Sequence, residues 1–505
     1  MSINNGRKFF LRLFFSLLFV GIIFSALSAE PGNRHEAVKP VLENLPERVT
    51  AAIERDRLVS VSMAVVLDTE IIFSQAFGLA DIAAKGPASP ETIYPVGSIT
   101  KVFTATMLAR LCEQGVVNLE DPVEKYLPEY RPHSPFPGTR PTTLRQLAAH
   151  TAGLPQDAPV NFWCDFTGFT WLVTGGRTPM TWYADCESLL QSLGQLELVY
   201  PPEVHAHYSN LGMQILGAAL VRAGGESFTD YIESQILKPL EMNNSGFNLD
   251  SAQKACLARG YVCTGPDAPM LDAPPYELGC AIYSGGLFST TGDLAKFLMF
   301  QFRDENNRDA QILSIGARRR MRTPQSIHLP GVHSSYGLGW GIVQIGGYEA
   351  IEHNGALIGY HAHVSAIPDL KLGIIAFSNT KNFLWKPDAC KTLARSILAD
   401  LANAIYASSP EPVFEANAVN LELYTGNYAL PGEAAHFKVS TDHDRLLLKL
   451  MEVDDFTELF EPVGRDMFCF TSDPQRTPVL HFEPGLDGRI GSLTFLQHTF
   501  QRQRK

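Results

Sequence analysis

Pro95-Val96-Gly97-Ser98-Ile99-Thr100-Lys101-Val102-Phe103-Thr104-Ala105 leads from small and apolar residues into a helical pattern that continues through Leu108. That pattern puts Ser98 at a helix start and Lys101, three residues on, on the same face and within reach of its hydroxyl. A serine hydroxyl is a poor nucleophile until a neighbour takes its proton, and a lysine can do so only when burial or positive neighbours lower its pKa. The positive end of the helix dipole favours a neutral lysine and stabilises an oxyanion. Alone, the spacing Ser-x-x-Lys carries little, because a chain of this composition shows about one by chance. Its surroundings decide the reading.

Downstream, His207-Tyr208-Ser209-Asn210-Leu211-Gly212 sets Tyr208 and Asn210 just before a new helical run. A tyrosinate near Lys101 is able to share a proton shuttle, and the Asn210 amide is able to hold a substrate carbonyl. A lone Tyr-x-Asn is otherwise an ordinary loop with a buried phenol. Further on, Glu352-His353-Asn354-Gly355-Ala356-Leu357-Ile358-Gly359-Tyr360 reads as a β segment with a glycine where a substrate backbone needs close approach. Its edge suits an extended substrate, and the N–H groups of Ala356 and Ser98 suit an oxyanion hole.

These three patterns, in this order, resemble the active site of the serine β-lactamase and penicillin-binding-protein superfamily, most closely its class C β-lactamase-like and D,D-peptidase branch. The resemblance covers about residues 40 to 405. It extends to Leu144-Arg145-Gln146-Leu147-Ala148-Ala149-His150-Thr151-Ala152-Gly153-Leu154-Pro155, to Ser284-Gly285-Gly286-Leu287-Phe288-Ser289-Thr290 and to Tyr336-Gly337-Leu338-Gly339-Trp340. It implies that Ser98 is acylated, Lys101 is the base beside it, Tyr208 is the second proton-transfer group and Asn210 is a ligand of the substrate amide. His353, Asn354, Gly355 and Ala356 fall on the third, substrate-binding motif. Many β-lactamases carry a lysine where this chain has His353. A lysine is a standing positive charge for a substrate carboxylate, whereas histidine is mostly neutral at pH 7. This departure weakens the case for a dedicated β-lactamase, although some peptidases and esterases of the branch also use histidine there.

The wider chain fits this frame. Its 505 residues suffice for one large catalytic domain and a small companion, and 45% hydrophobic residues with 10% aromatics suit a globular protein. Arg7, Lys8 and Arg12 precede an apolar run from Leu13 to Phe24 and the small-residue stretch Ser25-Ala26-Leu27-Ser28-Ala29. That is the layout of a secretory signal peptide over residues 1–29, so the expected location is periplasmic or secreted. Left uncleaved, the run comes close to the roughly 20 residues that span a bilayer and becomes a membrane anchor. Loss of its three positive charges takes the net charge from −12 to −15. An acidic chain argues against nucleic acid as a partner.

From about Val38 a helical pattern precedes two β-rich runs, Val59 to Leu67 and Ile71 to Ser74, which read as a hairpin. The middle, from about Thr100 to Arg303, is mainly helical. The β signal returns between Gly337 and Asn379, and a helix is expected over Ala389 to Tyr406. Strands from both ends with helices between them predict an α+β domain over 35–406, an antiparallel sheet flanked by helices plus a mainly helical subdomain. Residues 407–419 read as a linker, and 420–505 as a small all-β barrel. Leu423-Tyr424-Thr425-Gly426-Asn427-Tyr428-Ala429-Leu430-Pro431 resembles the start of the lipocalin-like barrel appended to some relatives. Packing or self-association is at least as good an account of it as substrate gating, and a homo-oligomer is within its reach.

The eight cysteines include no C-x-x-C pair. Cys256 with Cys263, and Cys164 with Cys186, are close enough in sequence to pair across a loop, while Cys112 reads as a buried free thiol. His205-Ala206-His207 and His361-Ala362-His363 have strand spacing but no carboxylate or cysteine at ligand spacing, so neither metal nor cofactor is expected. Seven aromatics, Phe162, Trp163, Phe166, Phe169, Trp171, Trp182 and Tyr183, suit a loop core or a wall of the cleft. The expected activity is acyl transfer to Ser98 and then to water, on D-amino-acid peptides, β-lactams or related amides and esters. A carboxylesterase and a slowly deacylating penicillin-binding receptor are the alternatives, since pocket shape rather than fold sets the choice.

Overall fold

The first long strand, β1 (Ser60–Leu67), is buried at every position, which requires cover on both faces of its sheet. The structure, a computed structural model, describes residues 31–503 apart from 158–185, 204–205, 264, 266, 275–278, 304–311, 328–334, 383–388, 409–419, 430–435, 452–456, 465–466, 471–479, 485–489 and 496–497. The N-terminal apolar run, the aromatics from Phe162 to Tyr183, Cys164 and His205 lie outside the described residues, as does most of the expected linker.

A turn at Asp68, in the left-handed region at φ 56°, joins β1 to β2 (Glu70–Asp81) in the expected hairpin. The later strands are β3 (Gly341–Ile345), β4 (Tyr348–Leu357), β5 (Tyr360–Ile367) and β6 (Leu372–Ser378). Their spatial order is β2-β1-β6-β5-β4-β3, with Gly86–Pro87 beyond β2, and Ser335–Tyr336 then Ser326–Ile327 beyond β3. Every neighbour in this nine-stranded sheet is antiparallel. Strands from the two ends of the domain thus meet as β1 and β6, with the helical middle inserted between them in sequence.

Helices α1 (Leu45–Asp56), α2 (Thr100–Glu113), α3 (Asn210–Gly224), α4 (Thr291–Phe302) and α5 (Ala389–Ser408) follow the apolar pattern. In α1 the buried Leu45, Val49 and Ala52 recur at helical spacing. Helix α2 is buried from Thr100 to Ala109, so it runs through the core rather than over it. Its Phe103 stacks on Phe297 of α4 at 4.4 Å. Each such fully buried large side chain contributes about 1.5–3 kcal/mol. Helix α4 lies on the sheet where Gly373 of β6 leaves room: a Cβ there would stand 2.8 Å from Leu298 Cδ1.

The chain divides into two compact units, one of Leu42–Ala402 and one that takes in the C-terminal part from Asn403. In the second, eight strands between Gly426 and Arg502 follow one another in a closed antiparallel ring. The first strand pairs with the last through Tyr428 with Arg502 and Ala429 with Gln501. Tyr424, Tyr428, Phe437, Phe460, Phe468 and Phe482 fill its interior, together with Leu446 and Leu448 from alternate positions of one strand.

One cysteine expectation fails. Cys263 is buried in the short strand Tyr261–Cys263, its thiol on the Gly265 carbonyl at 3.3 Å, while exposed Cys256 caps the helix Ser251–Ala255. Both are free thiols, because the strand and the cap hold them apart in separate structures. Cys112 is free and half-buried, and burial pushes its thiol up to about 11.

Candidate active site

Gly97 adopts φ 52°, a left-handed conformation open to glycine, and turns the chain from Tyr94–Pro95 into a 3-10 turn over Gly97–Ile99 and then α2. The turn is fastened at several points. Thr100 Oγ1 donates to the Gly97 carbonyl at 2.7 Å and accepts from the Leu287 N–H at 3.0 Å, and the Val96 N–H donates to the Leu287 carbonyl. Thr104 Oγ1 donates to the Tyr283 carbonyl at 2.6 Å. The Tyr283–Ser289 segment is therefore the brace of the Ser98 turn.

Ser98 is 9% exposed and Lys101 is fully buried one helical turn on. Lys101 Nζ lies 2.9 Å from Ser98 Oγ and donates to the Ser284 carbonyl, also at 2.9 Å. Burial lowers the Lys101 pKa to about 7, against an opposing pull from the Asp157 carboxylate. A lysine in that range is an effective proton acceptor near neutral pH, whereas an exposed one is not. Its ammonium nitrogen also sits 5.0 Å from the Tyr208 ring centre.

Ser209 caps α3 by accepting from the Gly212 N–H at 2.8 Å, which places Tyr208 just ahead of the helix and Asn210 at its first position. Burial pushes the Tyr208 phenol up, opposed by a side-chain hydrogen bond with Ser98. The phenol therefore keeps its proton at neutral pH. This changes the expected tyrosinate into a proton-bearing relay beside a lysine base.

Buried His150, in the left-handed region at φ 60°, packs its ring 4.6 Å from Tyr208 and 4.7 Å from Tyr336, and its Nδ1 accepts from the Ser209 N–H. His353 Nε2 lies 2.9 Å from Tyr336 Oη, and its Nδ1 lies 2.8 Å from the Asn354 carbonyl. A carbonyl can only accept, so Nδ1 carries a proton, and Nε2 pairs with the Tyr336 hydroxyl. Tyr336 is itself buried, and burial raises its phenol well above the ordinary value.

Gly355 matters for its missing side chain. A Cβ there would stand 1.8 Å from the Val96 carbonyl oxygen and 3.3 Å from the Ser98 nitrogen, and one on Gly97 would stand 3.0 Å from the Ala356 nitrogen. Two glycines thus let the β4 backbone lie against the Ser98 turn and bring the Ser98 and Ala356 amides into one neighbourhood. Asn354, the next residue of the motif, is held from the neighbouring strand. Strand alternation turns its side chain away from the His353 face, and its Oδ1 accepts from His363 Nδ1 of β5 at 2.6 Å, across the register pair Asn354 and His363.

Asp157, Ser284, His150 and Tyr336 join this cluster without having been singled out from sequence. Three of them lie in segments that carry the resemblance, but the role of each comes from a tertiary contact. Asp157 Oδ1 accepts from Asn210 Nδ2 at 2.9 Å. Among the described residues no group of three or more His, Cys, Asp and Glu is placed to hold a metal ion. His207 stacks on Tyr200 at 3.4 Å, and burial holds the His361 pKa well below its usual value.

A nucleophile-lysine pair at a helix start, beside a tyrosine, with an antiparallel sheet edge closing over it, is the arrangement of the penicillin-recognising serine hydrolases. The β-lactamase family model matches residues 45–399, and this chain belongs to that family. Beta-lactamase-like protein 2 of Dictyostelium discoideum is 26% identical over 82% of this chain and 73% of its own length. The D-alanyl-D-alanine-carboxypeptidase/endopeptidase AmpH of Escherichia coli K12 is 28% identical over 56% of this chain and 70% of its own. Other relatives are spanned over as little as 60% of their length. Among solved structures, the octameric penicillin-binding protein homologue from Pyrococcus abyssi superposes with a TM-score of 0.60 at 26% identity, covering 91% of this chain and 99% of that one. The chain is a serine hydrolase of the β-lactamase and penicillin-binding-protein superfamily.

Proposed function

We propose that this protein hydrolyses amides or esters, with peptides containing D-amino acids, β-lactams and related compounds as the candidate substrates, through an acyl-enzyme on Ser98. The observation that carries this reading is the 2.9 Å approach of buried Lys101 Nζ to Ser98 Oγ. Lys101 takes the hydroxyl proton as Ser98 Oγ forms a bond to the substrate carbonyl carbon. The Ser98 and Ala356 amides hold the resulting oxyanion. As the tetrahedral centre collapses, the bond to the leaving group breaks and Tyr208 passes a proton to that group, itself resupplied from Lys101. Water then attacks the ester by the reverse proton path and frees Ser98. Asn210 orients the substrate amide, and the mechanism calls on no metal or cofactor.

His353 adds a direction within this range. Its ring is engaged by Tyr336 and the Asn354 carbonyl, and it stands where many β-lactamases carry a permanently charged lysine. This supports esters and amides without a terminal carboxylate over a dedicated β-lactamase. We further propose that the protein is exported by way of residues 1–29 and self-associates, as the archaeal octamer's name says of that homologue.

Time-resolved intact mass spectrometry of the native protein and Ser98→Ala, with a penicillin and an activated ester, tests the reading. A transient adduct with product, absent from the variant, is the expected result. A permanent adduct instead identifies a slowly deacylating receptor, and equal product from the variant removes Ser98 from the mechanism. The same spectra report whether residues 1–29 have been cleaved, and native conditions report the oligomer.

A further inference from the structure

The short helix Leu144–Ala148 ends in a Schellman turn, with the Thr151 N–H on the Gln146 carbonyl at 2.9 Å and the His150 N–H on the Leu147 carbonyl at 3.3 Å. Such a turn needs one residue in the left-handed region, and that place usually goes to glycine, less often to asparagine. Here it is held by His150 at φ 60°. The conformation is strained for a side chain with a Cβ, and it persists where the surroundings hold the residue in place. Ending the helix does not by itself call for an imidazole.

What the imidazole reaches is the second motif. The His150 carbonyl accepts from the His207 N–H at 2.8 Å, and its Nδ1 accepts from the Ser209 N–H at 3.2 Å. A single residue thus grips the backbone on both sides of Tyr208. A backbone N–H can only donate, so Nδ1 carries no proton while this contact lasts. Between the two bonds the His150 ring lies against the Tyr208 ring, 4.6 Å between centres and tilted by 45°. Its other aromatic neighbour is Tyr336, at 4.7 Å, whose hydroxyl stands 2.9 Å from His353 Nε2 of the third motif. His150 is buried, so water competes little for these contacts. Helix α3 begins only at Asn210, and the two bonds to His150 therefore help to set the direction in which the Tyr208 side chain leaves the backbone.

We propose that His150 is a positioning residue that aims the Tyr208 phenol at the leaving-group atom, so that its contribution grows with the basicity of the leaving group. The inference deepens the acyl-enzyme reading above and rests on its assignment of the leaving-group proton to Tyr208. A nitrophenolate departs without a proton, whereas an alkoxide or an amine anion needs one. A displacement of about 1 Å at a reacting centre costs about 10²-fold in rate, and that is the range open to His150.

The test compares the native protein with His150→Phe, His150→Asn and Tyr208→Phe on ethyl acetate and p-nitrophenyl acetate, which share an acyl group. The readout is the ratio of kcat/KM for the ethyl ester to that for the p-nitrophenyl ester, in which the folded fraction of each preparation cancels. His150→Phe keeps a ring but loses the acceptor, and its ratio is expected to fall by about tenfold to a hundredfold, as in Tyr208→Phe. His150→Asn puts an amide oxygen where Nδ1 stood and suits the left-handed backbone, so its ratio should return to within about threefold of native. If His150→Phe does not fold, His150→Gln, whose amide reaches the Nε2 position instead, takes its place with the same expected loss. A native ratio in the variant without the acceptor, or no recovery in His150→Asn, overturns the proposal while a lowered ratio in Tyr208→Phe leaves the relay intact. A native ratio in Tyr208→Phe overturns the relay and the proposal together. Absence of Ser98-dependent turnover of either ester overturns the acyl-enzyme reading as well.

Discussion

Two antiparallel β structures in this chain bury different things. The C-terminal ring encloses Tyr428, Phe460, Phe468, Leu446, Leu448 and Leu493, each inaccessible to solvent. The Leu42–Ala402 unit also has a large apolar core, yet it buries Lys101, Asn210, His353, His363 and Glu352. Burying a polar or charged group without compensation costs several kcal/mol, so each needs partners or a purpose. Glu352 is matched by Arg395 through two contacts of 2.6 and 2.7 Å, a structural solution. Lys101 is not matched by a carboxylate hydrogen bond; it faces a serine hydroxyl and a carbonyl and takes a lowered pKa instead. Where the fold accepts such a cost is where its chemistry lies, and the ring accepts little of it.

The sharpest way to break this contrast is Lys101→Met. If Lys101 is the base, kcat/KM on an activated ester falls by about 10²–10⁴-fold, and the native acidic limb near pH 7 disappears from the pH profile. The folded pKa of about 7 lies below the ordinary 10.5, so between those values the unfolded chain binds a proton that the folded chain lacks. Native stability therefore rises with pH across that window, and urea titrations should show Lys101→Met losing that slope without losing stability at pH 7. A variant less stable at pH 7 with unchanged rate would make Lys101 a structural group.

Gly355→Ala probes the backbone contact next. The added methyl collides with the Val96 carbonyl, and the Ser98 turn has to move away from β4. Displacements of about 1 Å at a reacting centre cost about 10²-fold in rate, so kcat should fall by that order while the melting temperature falls modestly. The smallest effect on activity is expected in the ring. Phe460→Ala should destabilise the ring by about 3–5 kcal/mol in a denaturant titration and leave kcat/KM on the ester within about twofold. A large loss of rate there would assign the ring a part in the reaction and erase the contrast.

Much of the catalytic unit was legible in the chain because its signals are local. The Ser98-to-Lys101 spacing places two groups on one helical face whatever surrounds them, and the hairpin, the returning strands and the helical middle follow from short-range periodicity. The alternation that sends Leu446 and Leu448 inward is likewise local. The partner of Asn354 was not legible in this way: it sits inside the third motif, and strand pairing sets its side chain against His363. The Cys256–Cys263 expectation failed because nearness in sequence is not nearness of thiols once one lies in a strand and the other caps a helix.

The sequence by itself determined that Ser98 and Lys101 share one helical face and the order of the motifs around them, since each depends on residue type at fixed short spacing. Tertiary structure alone decided the rest. The Lys101 pKa depends on how completely the helices exclude water, the anchoring of His353 on a hydroxyl 17 residues away, and the place of Asp157 on a helix start 53 residues downstream. Electrostatics and hydrogen bonding act through distance in space, and the chain encodes that distance only through the whole packed fold.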